Sequence, residues 1–294
     1  MKLLVTGAAG MLGHDVMRAA KTAGHEPVGV DLPELDITDP KQVQELLGGL
    51  ASEKQGLDGV INCAAWTDVD GAESNEQAAK AVNVDGAGVL ARTCAAIGTP
   101  MLHISTDYVF DGTAPLDGDG RPRPYVESDP TGPKSVYGKT KLEGEQQVLA
   151  ASPRHTVLRT AWLYGVDGKN FVATMLRLAG ERDSVQVVTD QVGSPTWSGH
   201  LAPALLGLLE RGVAGLVHLT GAGQVSWNGF AQEIFRQAEL DCRVQATTSE
   251  QFVRPAPRPA WSALETGRDD VLPMPPWQDG LAGYLAASDG MMRA

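Results

Sequence analysis

Residues 1–13 read MKLLVTGAAGMLG, and this stretch decides the fold of the chain. Its apolar run, residues 3–5, has the length of a buried strand, and Gly7, Gly10 and Gly13 follow at intervals of three. Between a strand and a helix, the first glycine permits a tight turn, the second lets the backbone approach a pyrophosphate, and the third allows the helix to pack closely on the strand. The N–H groups that open the helix then face the phosphates. The stretch therefore predicts a strand, a glycine turn and a helix that together bind a dinucleotide.

An acidic residue follows the second predicted strand, where dinucleotide-binding folds need one. The run Pro27–Val30 ends at Asp31, about where a carboxylate would meet the hydroxyl groups of the adenosine ribose. Such a carboxylate accepts hydrogen bonds from a 2′-hydroxyl and repels a 2′-phosphate, so Asp31 slightly favours NADH over NADPH. A glycine turn alone could be an ordinary connection between strand and helix; with Asp31 in place, nucleotide binding is favoured.

Tyr137 and Lys141 lie four residues apart in SVYGKTK, residues 135–141. Two side chains at this spacing share one face of a helix. An ammonium beside a phenol favours the phenolate, so we expect Lys141 to lower the pKa of Tyr137 and to make it an acid usable near neutral pH. An isolated pair of this kind is usually a pair of surface residues; the glycine turn elsewhere in the chain makes the catalytic interpretation the better one.

Apolar runs and helical patterns alternate along the first half of the chain. Strands are predicted at residues 3–5, 27–30, 59–62, 101–105 and 156–159, and later near 185–188 and 216–219. Helices are predicted at residues 11–23, 42–50, 77–97 and 137–150, and later at 170–179, 201–209 and 227–238. This alternation predicts an α/β fold, a Rossmann-type doubly wound parallel sheet that binds its ligands at the carboxyl ends of the strands.

Composition excludes several classes of partner. The formal charge of −12 argues against binding of nucleic acid or of an anionic membrane surface. The sequence has no apolar stretch of the ~20 residues that span a bilayer, and residues 1–13 do not have the pattern of a signal peptide. Three widely spaced cysteines and six scattered histidines form no metal-ligand pattern. We therefore expect a cytoplasmic protein with reduced thiols and without a catalytic metal.

Further segments narrow the interpretation: residues 61–73 read INCAAWTDVDGAE, 81–84 AVNV, 104–112 ISTDYVFDG, 159–165 RTAWLYG, 170–172 NFV, 175–178 MLRL, 190–196 DQVGSPT and 258–264 RPAWSAL. With the glycine turn and the Tyr-Lys pair, these segments resemble the dTDP-4-dehydrorhamnose reductases, within the extended short-chain dehydrogenase/reductase family. The resemblance runs from residue 1 to the C-terminal segment. The segments at 104–112 and 190–196 are far more specific than the glycine turn.

The resemblance implies a division of the chain and a reaction. A nucleotide-binding domain is expected over residues 1–160, with return segments around 193–221, and a smaller C-terminal substrate-binding lobe over 161–192 and 222–294. The implied reaction is the reduction of the 4-keto group of a nucleotide-sugar by NADH or NADPH, in a monomer or a homodimer. Whether Mg²⁺ takes part is not readable from the sequence.

The resemblance also implies residue roles. Tyr137 is the general acid for the sugar oxygen O4, Lys141 binds the nicotinamide ribose, and Thr106 hydrogen-bonds the same carbonyl oxygen. The residues expected to bind the cofactor are Gly7, Gly10, Met11, Leu12, Gly13, Asp31, Asp36, Ile37, Ala64, Ala65, Trp66, Tyr137 and Lys141. The residues expected to bind the substrate are Thr106, Asp107, Trp162, Asn170, Gln191 and Arg258. For Trp162 a core position, and for Arg258 an exposed loop position, are the competing interpretations.

The chain departs from the family pattern at two positions, and several alternatives stay open. Met11 stands where the family often has Gln, and Ser135 where it usually has Asn, although Ser135 can still cap a helix. The loop 112–133 looks longer than the family segment, and is either a lid or a surface insertion. A nucleotide-sugar epimerase or dehydratase, a reductase of another 4-keto-sugar, and a non-catalytic subunit like the beta subunit of methionine adenosyltransferase share these motifs.

Overall fold

The computed structural model describes residues 1–292 of the 294-residue chain, with side chains described to residue 288. The strands are β1 (Lys2–Thr6), β2 (Glu26–Val30), β3 (Gly59–Asn62), β4 (Met101–Thr106), β5 (Thr156–Thr160), β6 (Leu163–Tyr164), β7 (Ser184–Val188), β8 (Val192–Gly193), β9 (Thr196–Trp197), β10 (Gly215–His218), β11 (Val225–Ser226), β12 (Arg243–Thr247) and β13 (Trp261–Ser262). The α-helices are α1 (Met11–Thr22), α2 (Pro40–Ser52), α3 (Val69–Ser74), α4 (Glu76–Lys80), α5 (Ala87–Ala96), α6 (Val136–Ala151), α7 (Phe171–Ala179), α8 (Ser198–Glu210), α9 (Trp227–Gln237) and α10 (Trp277–Met292).

Six strands form one parallel sheet in the order β2-β1-β3-β4-β5-β10. The chain leaves β1 in one direction to form β2 and returns to its other side to form β3, so the order reverses between β1 and β3. In open parallel sheets, ligands bind outside the carboxyl strand ends at this reversal. The predicted doubly wound α/β fold is confirmed.

Helices cover both faces of the sheet, because its central strands are apolar on both sides. On one face α1 and α8 pack together over Leu3, Val5 and Ile61. On the other, α2 and α5 pack over Leu4 and Val60. Burial on both faces explains the continuous apolar runs that the sequence shows at β1 and β3.

A separate apolar core lies beyond the sheet and supports the predicted smaller lobe. It is formed by side chains of β6, α7, β7, α9 and α10. The short parallel pair β7–β12 covers one side of it. Within the predicted return segment, α8 packs on α1 and β10 pairs with β5. The exact domain bounds stay a prediction.

The structure differs from the predicted elements in several places. The helix predicted over 77–97 is interrupted by a π-helical turn, Ala81–Gly86, between α4 and α5. The short helix α3, the strand β12 and the long helix α10 were not predicted. In the part of the chain that the structure describes, no helix has both the length and the apolar composition to cross a membrane.

The loop 112–133 is anchored to the C-terminal segment. Tyr125 stacks on Phe110 with ring centroids 4.0 Å apart, and its backbone N–H donates to the carbonyl of Ala263. Glu127 accepts from the backbone N–H of His218 at 2.7 Å. These contacts fix the second half of the loop, whereas residues 117–122 are exposed.

Candidate active site

The glycine turn joins β1 to α1 at the carboxyl edge of the sheet, and its glycines are required by close contacts. Gly7 has φ +67°, and a Cβ there would lie 2.6 Å from the backbone nitrogen of Ala64. A Cβ on Gly13 would lie 2.2 Å from the carbonyl oxygen of Gly7. The helix α1 begins after Gly10, which has no side chain to accept from its first N–H groups. These N–H groups fit the phosphates of a dinucleotide, by charge and by the helix dipole.

Asp31 lies at the end of β2 and faces the glycine turn. Its Oδ2 accepts from the backbone N–H of Ala9 at 3.0 Å, and its Oδ1 from that of Leu32 at 2.9 Å. The carboxylate is therefore fixed beside the turn, where the adenosine ribose of a bound dinucleotide would lie. The N–H donors fit the pyrophosphate of either NADH or NADPH, and the acid fits the 2′-hydroxyl of NADH.

The remaining residues predicted to bind the cofactor form a wall along the same edge. Asp36 accepts from the N–H and hydroxyl of Thr38, and Ile37 is buried against Gly86 in the π-helical turn. The loop Ala64–Trp66 follows β3 and is held by Asn83, whose Oδ1 accepts from the N–H of Trp66 at 2.9 Å. Met11 and Leu12 open α1.

Tyr137, Thr106 and Asp107 meet where β4 ends and α6 begins. Thr106 is the last residue of β4, and its hydroxyl donates to Oδ1 of Asp107 at 2.9 Å. The side chain of Thr106 also lies beside Tyr137 and acts to lower the pKa of the phenol. Ser135 caps α6 by accepting from the N–H of Gly138 at 3.1 Å, as expected.

The expected effect of Lys141 on Tyr137 is wrong for this structure. Burial raises the pKa of Tyr137 to about 12, and the carboxylate of Asp107 acts in the same direction. The Lys141 ammonium instead donates to the carbonyl of Ile104 at 2.7 Å, with His103 Nε2 at 3.2 Å. The desolvation of the phenolate outweighs a cation that is directed at other partners. At neutral pH Tyr137 therefore keeps its proton and can donate it.

Asp107 is a buried carboxyl group next to the phenol, and it is only partly satisfied. Burial raises its pKa to about 6, although the neighbouring side chains of Ser262 and Thr106 act to lower it. Its Oδ2 is buried and has no hydrogen-bond partner among the described residues. A buried unpaired oxygen next to a reactive group is typical of a ligand contact.

A cavity of about 350 Å³ is lined in part by Tyr108, whose ring packs edge-on against that of Tyr137 with centroids 5.5 Å apart. Tyr108, Trp227, Gln191 and Arg258 are among the side chains that line it. Arg258 donates to Asp70 on α3 at 2.9 Å and to the carbonyl of Ala256. The predicted phosphate-binding cation thus lies at the pocket and is paired with a carboxylate.

Two other predicted substrate residues, Trp162 and Asn170, are engaged inside the protein. Trp162 has φ +45°, stacks on Trp227 at 3.6 Å between ring centroids, and donates its N–H to Ser262. Asn170 caps α7, accepting from Ala173 N–H and donating to the Gly165 carbonyl. These contacts match the competing core interpretation of Trp162 and give Asn170 a structural role.

Gln191 differs from these two because it faces the cavity, although its amide donates to Ser249 at 2.7 Å. The residues that line the cavity lie outside the loop 112–133. The lid interpretation of that loop gains no support from this geometry.

Four residues of the site have no role in the sequence-based interpretation: Asp70, Asn83, His103 and Trp227. Asn83 and Asp70 fall within the quoted segments 81–84 and 61–73, but a single sequence does not show what they contact. Asn83 also donates to Thr140 on α6 at 3.1 Å, and so fixes α6 beside the loop after β3.

The chain is similar to known proteins over nearly its whole length. The family described as RmlD substrate binding domain matches residues 1–289. A dTDP-4-dehydrorhamnose reductase of Mycobacterium tuberculosis is 46% identical over 292 residues, covering 97% of this chain and 93% of that protein.

Two further relatives bear on ligand and substrate. A probable dTDP-4,6-dihydroxy-2-methyloxan-3-one 4-ketoreductase of Streptomyces antibioticus is 42% identical, covering 96% of this chain and 93% of that protein. The crystal structure of a dTDP-4-dehydrorhamnose reductase of Bacillus anthracis, in complex with NADP, has a TM-score of 0.90 and 34% identity, covering 97% of this chain and 99% of that chain.

Proposed function

The chain belongs to the RmlD substrate binding domain family, and we propose that it is an NAD(P)H-dependent oxidoreductase, a dTDP-4-dehydrorhamnose reductase. It reduces the 4-keto group of dTDP-4-dehydro-β-L-rhamnose to give dTDP-β-L-rhamnose, a precursor of cell-surface polysaccharide. The observation that carries the proposal is a protonated phenol, Tyr137, at the carboxyl edge of the sheet, packed against Tyr108, which lines the 350 Å³ cavity. The relatives that bear this name and match nearly the whole chain support the choice of substrate.

Reduction of a ketone needs hydride on carbon and a proton on oxygen. The nicotinamide, when bound, supplies the hydride. Tyr137 donates the proton to O4 of the sugar, because its pKa of about 12 keeps the proton on the phenol until the oxygen becomes basic. The Thr106 hydroxyl lies at the same point and orients that oxygen.

The cofactor end is formed by the glycine turn, Asp31 and Lys141. Lys141 is buried beneath the site, with two donors left for a ribose hydroxyl once it binds the Ile104 carbonyl. Asp31 accepts from a 2′-hydroxyl, so NADH is used somewhat better than NADPH. The Bacillus anthracis relative binds NADP, and both forms are therefore accepted.

The substrate end is formed by Asp107, Arg258 and the cavity walls. The free Oδ2 of Asp107 accepts from a sugar hydroxyl. Arg258 binds the diphosphate, because a planar guanidinium matches phosphate oxygens. Gln191 and the edge of the Trp162–Trp227 stack contact the sugar or the nucleoside.

The test is turnover of a defined set of sugars. The protein is incubated with NADH or NADPH and dTDP-4-dehydro-β-L-rhamnose, or with the 4-keto-sugars of UDP and GDP, and products are identified by NMR. We expect dTDP-β-L-rhamnose and stoichiometric cofactor oxidation. Oxidation only with another 4-keto-sugar would favour a related ketoreductase, for which the Streptomyces antibioticus relative is the precedent.

We also propose a cytoplasmic location. Cys63, Cys94 and Cys242 are free thiols, as is usual in a reducing compartment.

A further inference from the structure

A row of buried polar side chains crosses the sheet beneath Lys141. Thr6 ends β1, Asn62 ends β3 and His103 lies in β4, and each is 1% exposed, like Lys141 itself. The row links three neighbouring strands to α6. The proposed function uses only its last member.

The direction of each hydrogen bond in the row follows from the first two. Asn62 Oδ1 accepts from the backbone N–H of Ala64 at 3.1 Å, and from the hydroxyl of Thr6 at 2.7 Å. An N–H can only donate, so this atom of Asn62 is the oxygen. The other atom, the Nδ2 amide, therefore donates to His103 Nδ1, at 2.9 Å.

The proton of His103 is then on its other nitrogen. A neutral imidazole carries one N–H, and the nitrogen that accepts is the one without it. Burial and the charge of Lys141 hold the pKa of His103 well below its usual range, so the ring is neutral. The remaining nitrogen, Nε2, lies 3.2 Å from Lys141 Nζ. An Nε2–H group at this distance needs a lone pair on Nζ, which an amine has and an ammonium lacks.

Other groups around Lys141 do not reverse this preference. The Ile104 carbonyl accepts from either form of the lysine. Cys63, after β3, has its pKa raised to about 12 by burial and stays a neutral thiol. Glu145, one turn further along α6, accepts two bonds from Arg159, at 2.9 and 2.7 Å. Tyr137, on the same helix, is a neutral phenol. Glu145 still acts to raise the pKa of Lys141, but burial acts more strongly to lower it.

We propose that His103 is a positioning residue for Lys141: held by Asn62 as the Nε2–H tautomer, it donates to the lysine nitrogen and stabilises the neutral amine. The kinetic consequence rests on the proposed function; the tautomer does not. Under that function the cationic lysine is the active form, so a donor that stabilises the neutral amine lowers the upper pH limit of the reaction, in addition to the effect of burial. Burial is the largest cause that lowers the pKa of Lys141, to about 8. The upper pH limit is expected at this pKa. Below it the lysine is charged, and kcat/KM falls as the pH rises through it.

The tautomer is read by ¹⁵N NMR of the protein alone, labelled at histidine. His103→Gln identifies the resonances by removing them. We expect Nδ1 of His103 to have the shift of an unprotonated ring nitrogen, and Nε2 that of a protonated one. His155 is an internal reference, because its Nδ1 accepts from Met101 N–H and its Nε2 lies 2.9 Å from the Ala91 carbonyl. A proton on Nδ1 of His103, or on both nitrogens, would overturn the proposal whether or not the protein reduces a sugar.

The effect on Lys141 is read from the pH dependence of kcat/KM in two variants. His103→Gln replaces the Nε2–H by an amide that can turn its oxygen to the lysine. Asn62→Asp replaces the Nδ2 donor by a carboxylate that accepts from Nδ1–H, which moves the proton off Nε2. In both we expect the alkaline limb to move up by roughly one pH unit, since the ammonium gains an acceptor.

His155→Gln is the matched control, a buried histidine changed in the same way but far from Lys141. We expect its alkaline limb to stay at the wild-type position. If the limb of both test variants also stays there, or moves down, the positioning role is wrong, even where turnover falls. Should His103→Gln fail to fold, Asn62→Asp still tests the pH dependence, and its expected transfer of the His103 proton from Nε2 to Nδ1 identifies the His103 resonances.

Discussion

The two ends of the cleft are built in different ways. At the cofactor end, the contacts are mostly to backbone: Asp31 accepts from the N–H of Ala9, 22 residues away, and Gly13 lies against the carbonyl of Gly7. At the substrate end they join side chains far apart in the chain, as with Arg258 and Asp70, which are 188 residues apart. The backbone contacts of the glycine turn and Asp31 therefore form the cofactor end before any ligand binds. The substrate end depends on the packing of the smaller lobe, and Arg258 must exchange Asp70 for the diphosphate.

Tyr137 lies between the two ends, so its hydroxyl gives the largest expected effect. We expect Tyr137→Phe to lower kcat by ~10²–10⁴-fold, the usual contribution of general acid catalysis, and to leave cofactor affinity unchanged. Turnover at saturating cofactor and substrate and cofactor binding by fluorescence are the measurements. Tyr284→Phe, in the core of the smaller lobe, is the control and should retain turnover. Near-wild-type turnover in Tyr137→Phe would contradict the assignment of Tyr137 as the general acid.

Arg258→Gln tests the substrate end alone. Because a hydrogen bond to a charged group contributes ~1.5–3 kcal/mol, we expect the KM for the nucleotide-sugar to rise by roughly 10- to 100-fold, with little change in cofactor affinity. The same substitution at Arg177, in an exposed pair with Glu181, should change neither. An unchanged KM in Arg258→Gln would return Arg258 to the role of a loop residue that only holds Asp70.

Gly13→Ala tests the cofactor end alone. Its Cβ would lie 2.2 Å from the Gly7 carbonyl oxygen, and relief of such an overlap costs ~1–3 kcal/mol. We expect weaker cofactor binding and a lower melting temperature, but an unchanged KM for the sugar at saturating cofactor. At Gly48, exposed on α2, a Cβ would meet nothing within 4 Å, so Gly48→Ala should raise stability slightly. Equal behaviour of the two variants would contradict the close packing of the turn.

Asp31→Ser gives the smallest expected effect, because it changes preference rather than activity. The loss of a carboxylate weakens NADH binding and relieves repulsion of a 2′-phosphate, so the ratio of kcat/KM for NADPH to that for NADH should rise several-fold. Glu34→Ser, three residues further on and exposed, should leave the ratio unchanged. A constant ratio in Asp31→Ser would mean that the carboxylate does not reach the ribose.

The same contrast explains how much could be predicted from the sequence. The glycine turn, Asp31 and the start of α6 are short-range patterns, and the structure places each of them where the pattern predicts. The pairing of Arg258 with Asp70 and the stacking of Trp162 on Trp227 depend on long-range packing, which a single sequence does not specify.

Lys141 illustrates the limit of a helical spacing. The distance of four residues places it on the same helix face as Tyr137, but its hydrogen-bond partners come from β4, 37 and 38 residues earlier. The burial of the phenol, which raises its pKa, is likewise a property of the folded protein. The four-residue spacing predicted that Tyr137 and Lys141 share a helix face. Their protonation states depend on burial and on contacts made in the folded protein.

In the proposed reaction, hydride passes from the cofactor to C4 of the sugar and stays there. This transfer is tested most directly with NADH or NADPH deuterated at the transferable position of the nicotinamide and unlabelled dTDP-4-dehydro-β-L-rhamnose. We expect one deuterium at C4 of dTDP-β-L-rhamnose for each cofactor oxidised. A product without deuterium, formed while the cofactor stays reduced, would contradict it and would indicate an epimerase or a dehydratase that recycles its cofactor.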